Sequence, residues 1–140
     1  MKRFALLCCM ALLMACAPAD EDDTLSLADV AGTWSMEALQ QAGDSVIVTM
    51  EMTATDSYDG WAIVFAGRDP ITARVLAVGG DSIVSEFGPY ESALRAGVMV
   101  TTTSVMRLDG DNLVGSFVAR YATTGADSIL RGRLQGVRAR

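Results

Sequence analysis

From Gly32 onward the chain alternates apolar and polar residues with a period of two. The run 45–54 (SVIVTMEMTA) sets Val46, Val48, Met50, Met52 and Ala54 on one face. Ser45, Thr49, Glu51 and Thr53 lie on the other, with Ile47 out of phase. Successive side chains of a strand point to opposite faces, so this is the signature of a half-buried strand. Seven further segments read the same way: 32–40, 60–66, 71–78, 82–87, 98–108, 112–121 and 128–138. Their starts are 11 to 16 residues apart, too close for crossover helices between parallel strands. The pattern predicts an all-β fold, an eight-stranded antiparallel up-and-down meander. Closing it into a barrel removes the exposed edges that invite aggregation.

The punctuation between these segments agrees. Asp109-Gly110-Asp111-Asn112 suits a tight hairpin, and Ser57-Tyr58-Asp59-Gly60 and Gly79-Gly80-Asp81 are turn-like. Three strands open on the same device, Asp44-Ser45-Val46, Asp81-Ser82-Ile83 and Asp127-Ser128-Ile129. Leu113-Val114-Gly115-Ser116-Phe117 and Leu130-Arg131-Gly132-Arg133-Leu134 each place a glycine inside a strand, the mark of a sharp bend or a close backbone approach. The connection 88–97 (GPYESALRAG) is longer than the hairpins. Glu91 and Arg95 are spaced for a helical turn, with Tyr90 and Arg95 as a lid or rim over a barrel mouth; the alternative is a plain surface loop. Residues 26–30 (SLADV) suit one helical turn with Ser26 as its N-cap.

Residues 1–16 (MKRFALLCCMALLMAC) follow different rules. Lys2 and Arg3 precede an uncharged apolar stretch, Phe4 to Ala15, of 12 residues. A helix needs about 20 residues to span a membrane core, so the stretch fits the h-region of a signal peptide. Its end, Leu13-Met14-Ala15-Cys16, resembles the lipobox of bacterial lipoproteins. That resemblance implies cleavage before Cys16, acylation of Cys16 and anchoring in a membrane. Ala17 in the next position, where retained lipoproteins carry Asp, implies the outer membrane, with the domain facing the periplasm. The expected organisation is a signal peptide over 1–15, a lipidated cysteine and acidic tether over 16–25, and a barrel domain over 26–140. The tether's Asp20, Glu21, Asp22 and Asp23 repel one another and offer nothing apolar to bury.

Processing changes the composition. The 140-residue precursor has a formal charge of −6, three cysteines and no histidine. Cys16–Arg140 has 125 residues; nine arginines against 17 acids leave −8, and Cys16 is its one cysteine. The barrel therefore has no disulfide. The negative charge argues against nucleic acid as a partner. Without histidine, Ser-His-Asp and Cys-His catalysis, histidine zinc sites and a histidine pH switch are ruled out. No G-x-S-x-G elbow or phosphate-binding glycine loop is present. Asp109 and Asp111 lack the rest of a calcium loop. The expectation is a non-enzymatic protein without metal or cofactor.

Gly32-Thr33-Trp34 opens the first strand, after a helical turn and ahead of seven more strands. In this the chain resembles the lipocalins and the wider calycin superfamily, whose first strand carries G-x-W. The resemblance implies that Trp34 plugs the closed end of the barrel. It also implies that an arginine near the last strand, Arg138 or Arg133, packs across it. The lipocalin T-D-Y motif and disulfide cysteines are missing. Avidin relatives also begin G-T-W, but no set of biotin-contacting residues carries over. The expected inward positions are Trp34, Met36, Val46, Val48, Met50, Met52, Trp61, Ile63, Phe65, Phe117 and Tyr121. Arg74, Arg107 and Arg120 are expected to point outward. Arg131 and Arg133 share a face and await acidic neighbours.

A barrel of this size either packs itself shut or holds one small ligand. The first expectation is a small apolar or amphipathic ligand, met by Trp34, Met50, Trp61, Phe65, Tyr90, Arg95, Phe117 and Tyr121. The second is a closed structural or interaction module with a protein partner in the cell envelope. The interior volume discriminates: a pocket of about 300 Å³ or more favours binding.

Overall fold

A computed structural model describes residues 24–140. The expected signal peptide, Cys16 and all of the tether before Thr24 lie outside these residues. A single helical turn, α1 (Leu27–Val30), precedes eight strands: β1 (Gly32–Gln40), β2 (Val46–Ala54), β3 (Trp61–Phe65), β4 (Ile71–Gly79), β5 (Ser82–Glu91), β6 (Met99–Asp109), β7 (Asn112–Tyr121) and β8 (Ile129–Arg138). Each strand pairs antiparallel with the next, and β8 returns to β1, closing the barrel. The fold is the meander that the alternation predicts. Strand bounds agree to within one residue except at the end of β5.

β5 runs on to Glu91, through what the sequence suggests is a loop. The ladder to β6 shifts register between Phe87 and Tyr90 and then resumes at Tyr90↔Val100 and Glu91↔Met99. Gly88 makes the irregularity possible. Its φ is +111°, and a Cβ there would lie 2.6 Å from the Val100 carbonyl oxygen. The helical turn suggested by the Glu91–Arg95 spacing does not form, because Glu91 is held in the ladder. Its carboxylate instead accepts from the Gly97 N–H at 3.0 Å.

A second irregularity explains the phase break in β2. Ala38 pairs with Val48, and Leu39 pairs with Val46. The unpaired residue is Ile47, a bulge that puts two neighbours on one face. Ile47 and Val48 both line the interior. Val46, expected to face inward, is 48% exposed; the bulge gives its place to Ile47. The remaining expected inward positions are buried, apart from the half-buried Val48 and Met50.

One barrel end is closed by the chain itself. Leu25 N–H donates to the Gly80 carbonyl at 2.8 Å, fixing the incoming segment on the β4–β5 turn. Asp29 accepts from both the hydroxyl of Ser26 (2.7 Å) and its N–H (2.8 Å). These bonds hold its carboxyl below the usual range. Leu27 and Val30 pack against Trp34 at the plugged end, and the Trp34 Nε1 donates to the Val30 carbonyl at 2.8 Å. The Arg138 guanidinium lies 4.4 Å from the Trp34 ring and donates to the carbonyls of Ala31 (2.8 Å) and Asp29 (2.7 Å). Trp34 and Arg138 are also cross-strand partners. Arg133 is thus not the arginine over Trp34. It reaches outward to the Gly43 carbonyl and the Asp44 carboxylate (3.1 Å).

Glycines on β7 and β8 draw the wall inward. A Cβ at Gly115 would overlap the Val105 carbonyl oxygen, and one at Gly132 would overlap the Leu39 carbonyl and the Phe117 ring. At Gly136 the space is taken by the Met36 sulfur. β3 has only five residues and meets β4 through Trp61↔Ala73, Ala62↔Thr72 and Ile63↔Ile71. The β6–β7 ladder, by contrast, runs without a break from Val100↔Tyr121 to Asp109↔Asn112.

Candidate functional site in the barrel interior

The inward residues of the eight strands leave a void of about 60 Å³. Its lining carries no charged side chain. One wall, from β1 and β2, is formed by Met36, Ala38, Ile47, Val48, Met50 and Met52. Thioether chains on this wall adapt to irregular neighbours. Trp61 forms part of the lining toward the plugged end, with its Nε1 donating to the Ser57 carbonyl at 2.9 Å.

Toward the mouth an aromatic group gathers. Tyr90 stacks between Phe65 (5.7 Å, 25°) and Phe87 (5.4 Å, 21°). Its hydroxyl lies 3.5 Å from Thr102 Oγ1, the outer limit of a hydrogen bond. The segment after β5 then crosses the mouth. Ser92 Oγ accepts from the N–H groups of Leu94 (3.0 Å) and Arg95 (3.1 Å). Arg68 donates to the carbonyls of Glu91 (2.6 Å) and Ser92 (3.2 Å). The Arg95 guanidinium sits 4.0 Å over the Tyr121 ring and donates to the Asp127 carbonyl at 2.7 Å. Arg68 and Arg95 thus strap the segment in place, and Leu94 reaches the void from above.

Of the eight residues expected to meet a ligand, the structure brings six together. Met50, Trp61, Phe65, Tyr90, Phe117 and Tyr121 line one void. Trp34 forms the floor beneath it, and Arg95 belongs to the strap above. Sequence reasoning missed Ser85, Thr102 and Ser104, which are buried and face inward. The signal was parity alone: Ile83, Ser85 and Phe87 alternate on one strand, and Val100, Thr102, Ser104 and Met106 on the next.

On the outside, Arg74 pairs with Glu86 at 2.6 Å, and Arg107 and Arg120 are exposed. A shallow groove of about 730 Å³ crosses β7, β8, β1, β2 and β3, with Glu37, Glu51, Val64 and Val137 on its surface. Among the described residues, no three acids or cysteines lie together as a metal site, and no helix is long and apolar enough to cross a membrane.

Burial raises the Tyr90 pKa above its ordinary value near 10. The Thr102 hydroxyl and Arg68 act in the opposite direction, and Tyr121 adds to the rise. The unfolded chain releases this proton first as pH rises. Between the two pKa values the folded state holds more protons, so stability falls with pH. Urea midpoints should therefore decline from about pH 10 upward. Tyr90→Phe should remove part of that slope; an unchanged slope in the variant would place its origin elsewhere.

Comparisons with protein-family models, curated proteins and solved structures find no match for this chain. Strand order and closure alone define its class: a closed, antiparallel, up-and-down β-barrel with one end plugged. This architecture is consistent with a lipocalin-like ligand-binding fold.

Proposed function

We propose that the chain is a membrane-anchored lipoprotein of the cell envelope whose barrel takes up a small apolar or amphipathic molecule. The observation that carries this reading is the uncharged void, bounded on one side by methionines and closed above by a strap rather than by a strand. A space of about 60 Å³ suits only a few heavy atoms as it stands. Larger pockets for drug-sized ligands start at about 300 Å³. The ligand is therefore small or slender, or the methionine wall yields to admit it. Anchoring rests on the lipobox resemblance ending at Cys16. The described chain enters at the plugged end, so the mouth lies at the end of the barrel opposite Leu25.

The volume, about 60 Å³ against the roughly 300 Å³ that favours binding, is the observation that favours a second reading, a closed module that presents its outer surface to an envelope protein. The groove beside Glu37 and Glu51 is the surface on offer. Native mass spectrometry of protein purified from its own membranes separates the two. A reproducible added mass that extracts into organic solvent supports uptake; bare protein in every preparation supports the closed module. Anchoring is tested independently. Cys16→Ser is expected to leave the precursor uncut, and normal processing of that variant would rule out the lipoprotein reading.

A further inference from the structure

Ser85 on β5 and Ser104 on β6 are cross-strand partners, each 3% exposed, and both line the void. Their hydroxyls are 2.8 Å apart. A serine hydroxyl carries one proton and two acceptor lone pairs. Within the pair one proton is donated to the other oxygen, whichever serine is the donor. The second proton has no acceptor among the described residues: each Oγ has the other as its partner. Thr102, one step toward the mouth on the same face of β6, adds a further buried hydroxyl, whose contact to Tyr90 is long. The wall formed by β5 and β6 therefore presents hydrogen-bond donors to an otherwise apolar space. No guanidinium or other cation lines that space to meet an anion.

We infer that the barrel selects an uncharged ligand carrying a hydrogen-bond acceptor, such as a ketone, ester or ether oxygen. That oxygen docks on the Ser85–Ser104 pair while the hydrocarbon part lies against the methionine wall. The inference rests on reading the void as a ligand site. A buried hydroxyl donor left without an acceptor is costly, and an incoming carbonyl oxygen supplies one. A carboxylate would instead lose its water without gaining a countercharge.

The test uses purified full chain and three probes of one chain length: 2-pentanone, pentane and pentanoate at neutral pH. Binding is followed by ligand-observed NMR and by the carbonyl stretch of bound 2-pentanone. Ser85→Ala/Ser104→Ala removes both partners of the pair together, a change that leaves no new unpaired group and is close to neutral for folding. In wild type, 2-pentanone and pentane bind and pentanoate does not. In the double variant, affinity for 2-pentanone relative to pentane falls about fivefold, the worth of one buried hydrogen bond, and the carbonyl stretch rises toward its value in an apolar solvent. A ketone-to-alkane ratio and a stretch that both stay unchanged would overturn the assignment while leaving uptake standing. Pentanoate binding as well as 2-pentanone would overturn it too. Failure of all three probes would remove the ligand-site reading itself.

Discussion

Gly115→Ala is expected to lower the unfolding free energy by about 3 kcal/mol, the upper end of the usual cost of overpacking. The position is on β7, facing inward, where the strand presses against β6. The added methyl would overlap the Val105 carbonyl oxygen and lie 2.9 Å from Met106 Cα. Both are backbone atoms held in the β6–β7 ladder, which includes Met106↔Gly115 itself. Nothing there swings aside as a side chain would, so relief requires the two strands to separate. Gly136→Ala is the instructive contrast, since its obstacle is the Met36 thioether; a smaller loss is expected. Gly79→Ala meets nothing within 4 Å and should leave stability unchanged or slightly raised. Urea denaturation of the three variants checks the ranking. Equal losses would mean that backbone proximity is not what these glycines provide.

Trp34→Ala is expected to cost about 3–5 kcal/mol, the range for deleting a large buried aromatic. The ring is fully buried, and three separate contacts depend on it. Its Nε1 bond holds Val30, its face carries the Arg138 guanidinium, and its mass fills the space between α1 and the void. Removing it leaves the Val30 carbonyl without its donor and the apolar side chains of α1 without a seat. The effect should appear first as loosening of the plug: proteolysis within residues 24–31 before the strands are cut. Arg138→Lys tests the geometry separately. An ammonium lacks the planar fork that bonds two carbonyls while stacking on the indole. That variant should release the plug with a smaller loss of global stability. Simultaneous cleavage of plug and strands in Trp34→Ala would show that the plug and the strands are not separable units.

The strands were legible in the sequence because one face of each is wet and the other dry, and the turns carry Asp-Gly or Gly-Gly chemistry between them. The bulge at Ile47 was visible as a break in phase, but not its consequence. Which of two neighbours turns inward depends on pairing with Ala38 and Leu39, a relation between strands that one strand does not contain. The sequence leaves Arg138 and Arg133 open for the same reason. It is settled by the register Trp34↔Arg138, which closes the barrel across the two ends of the chain. The segment 88–97 misled because Glu91 and Arg95 satisfy a helical spacing, while the ladder partner Met99 lies beyond the segment itself. The inward hydroxyls of Ser85, Thr102 and Ser104 are not legible from hydropathy, because polar residues at inward parity read as breaks in an apolar face. Two serines that share one hydrogen bond and leave one proton over are a relation between strands, and it appears only when β5 and β6 are side by side.

The brevity of β3 has a mechanical consequence. A hoop closed by eight ladders is only as strong as its weakest join, and five residues on β3 set that join against β4. Amide hydrogen exchange should be fastest at Ile71, Thr72 and Ala73, and slowest in the long β6–β7 ladder. Trp61, Ile63 and Phe65 face the void from this same strand. When the join parts, the interior opens sideways while the strap over the mouth stays fastened. The molecule would then behave as a split ring rather than a cup, with its lateral seam between β3 and β4. Faster exchange at Ser92–Gly97 than at the β3–β4 join would instead make the strap the softer element.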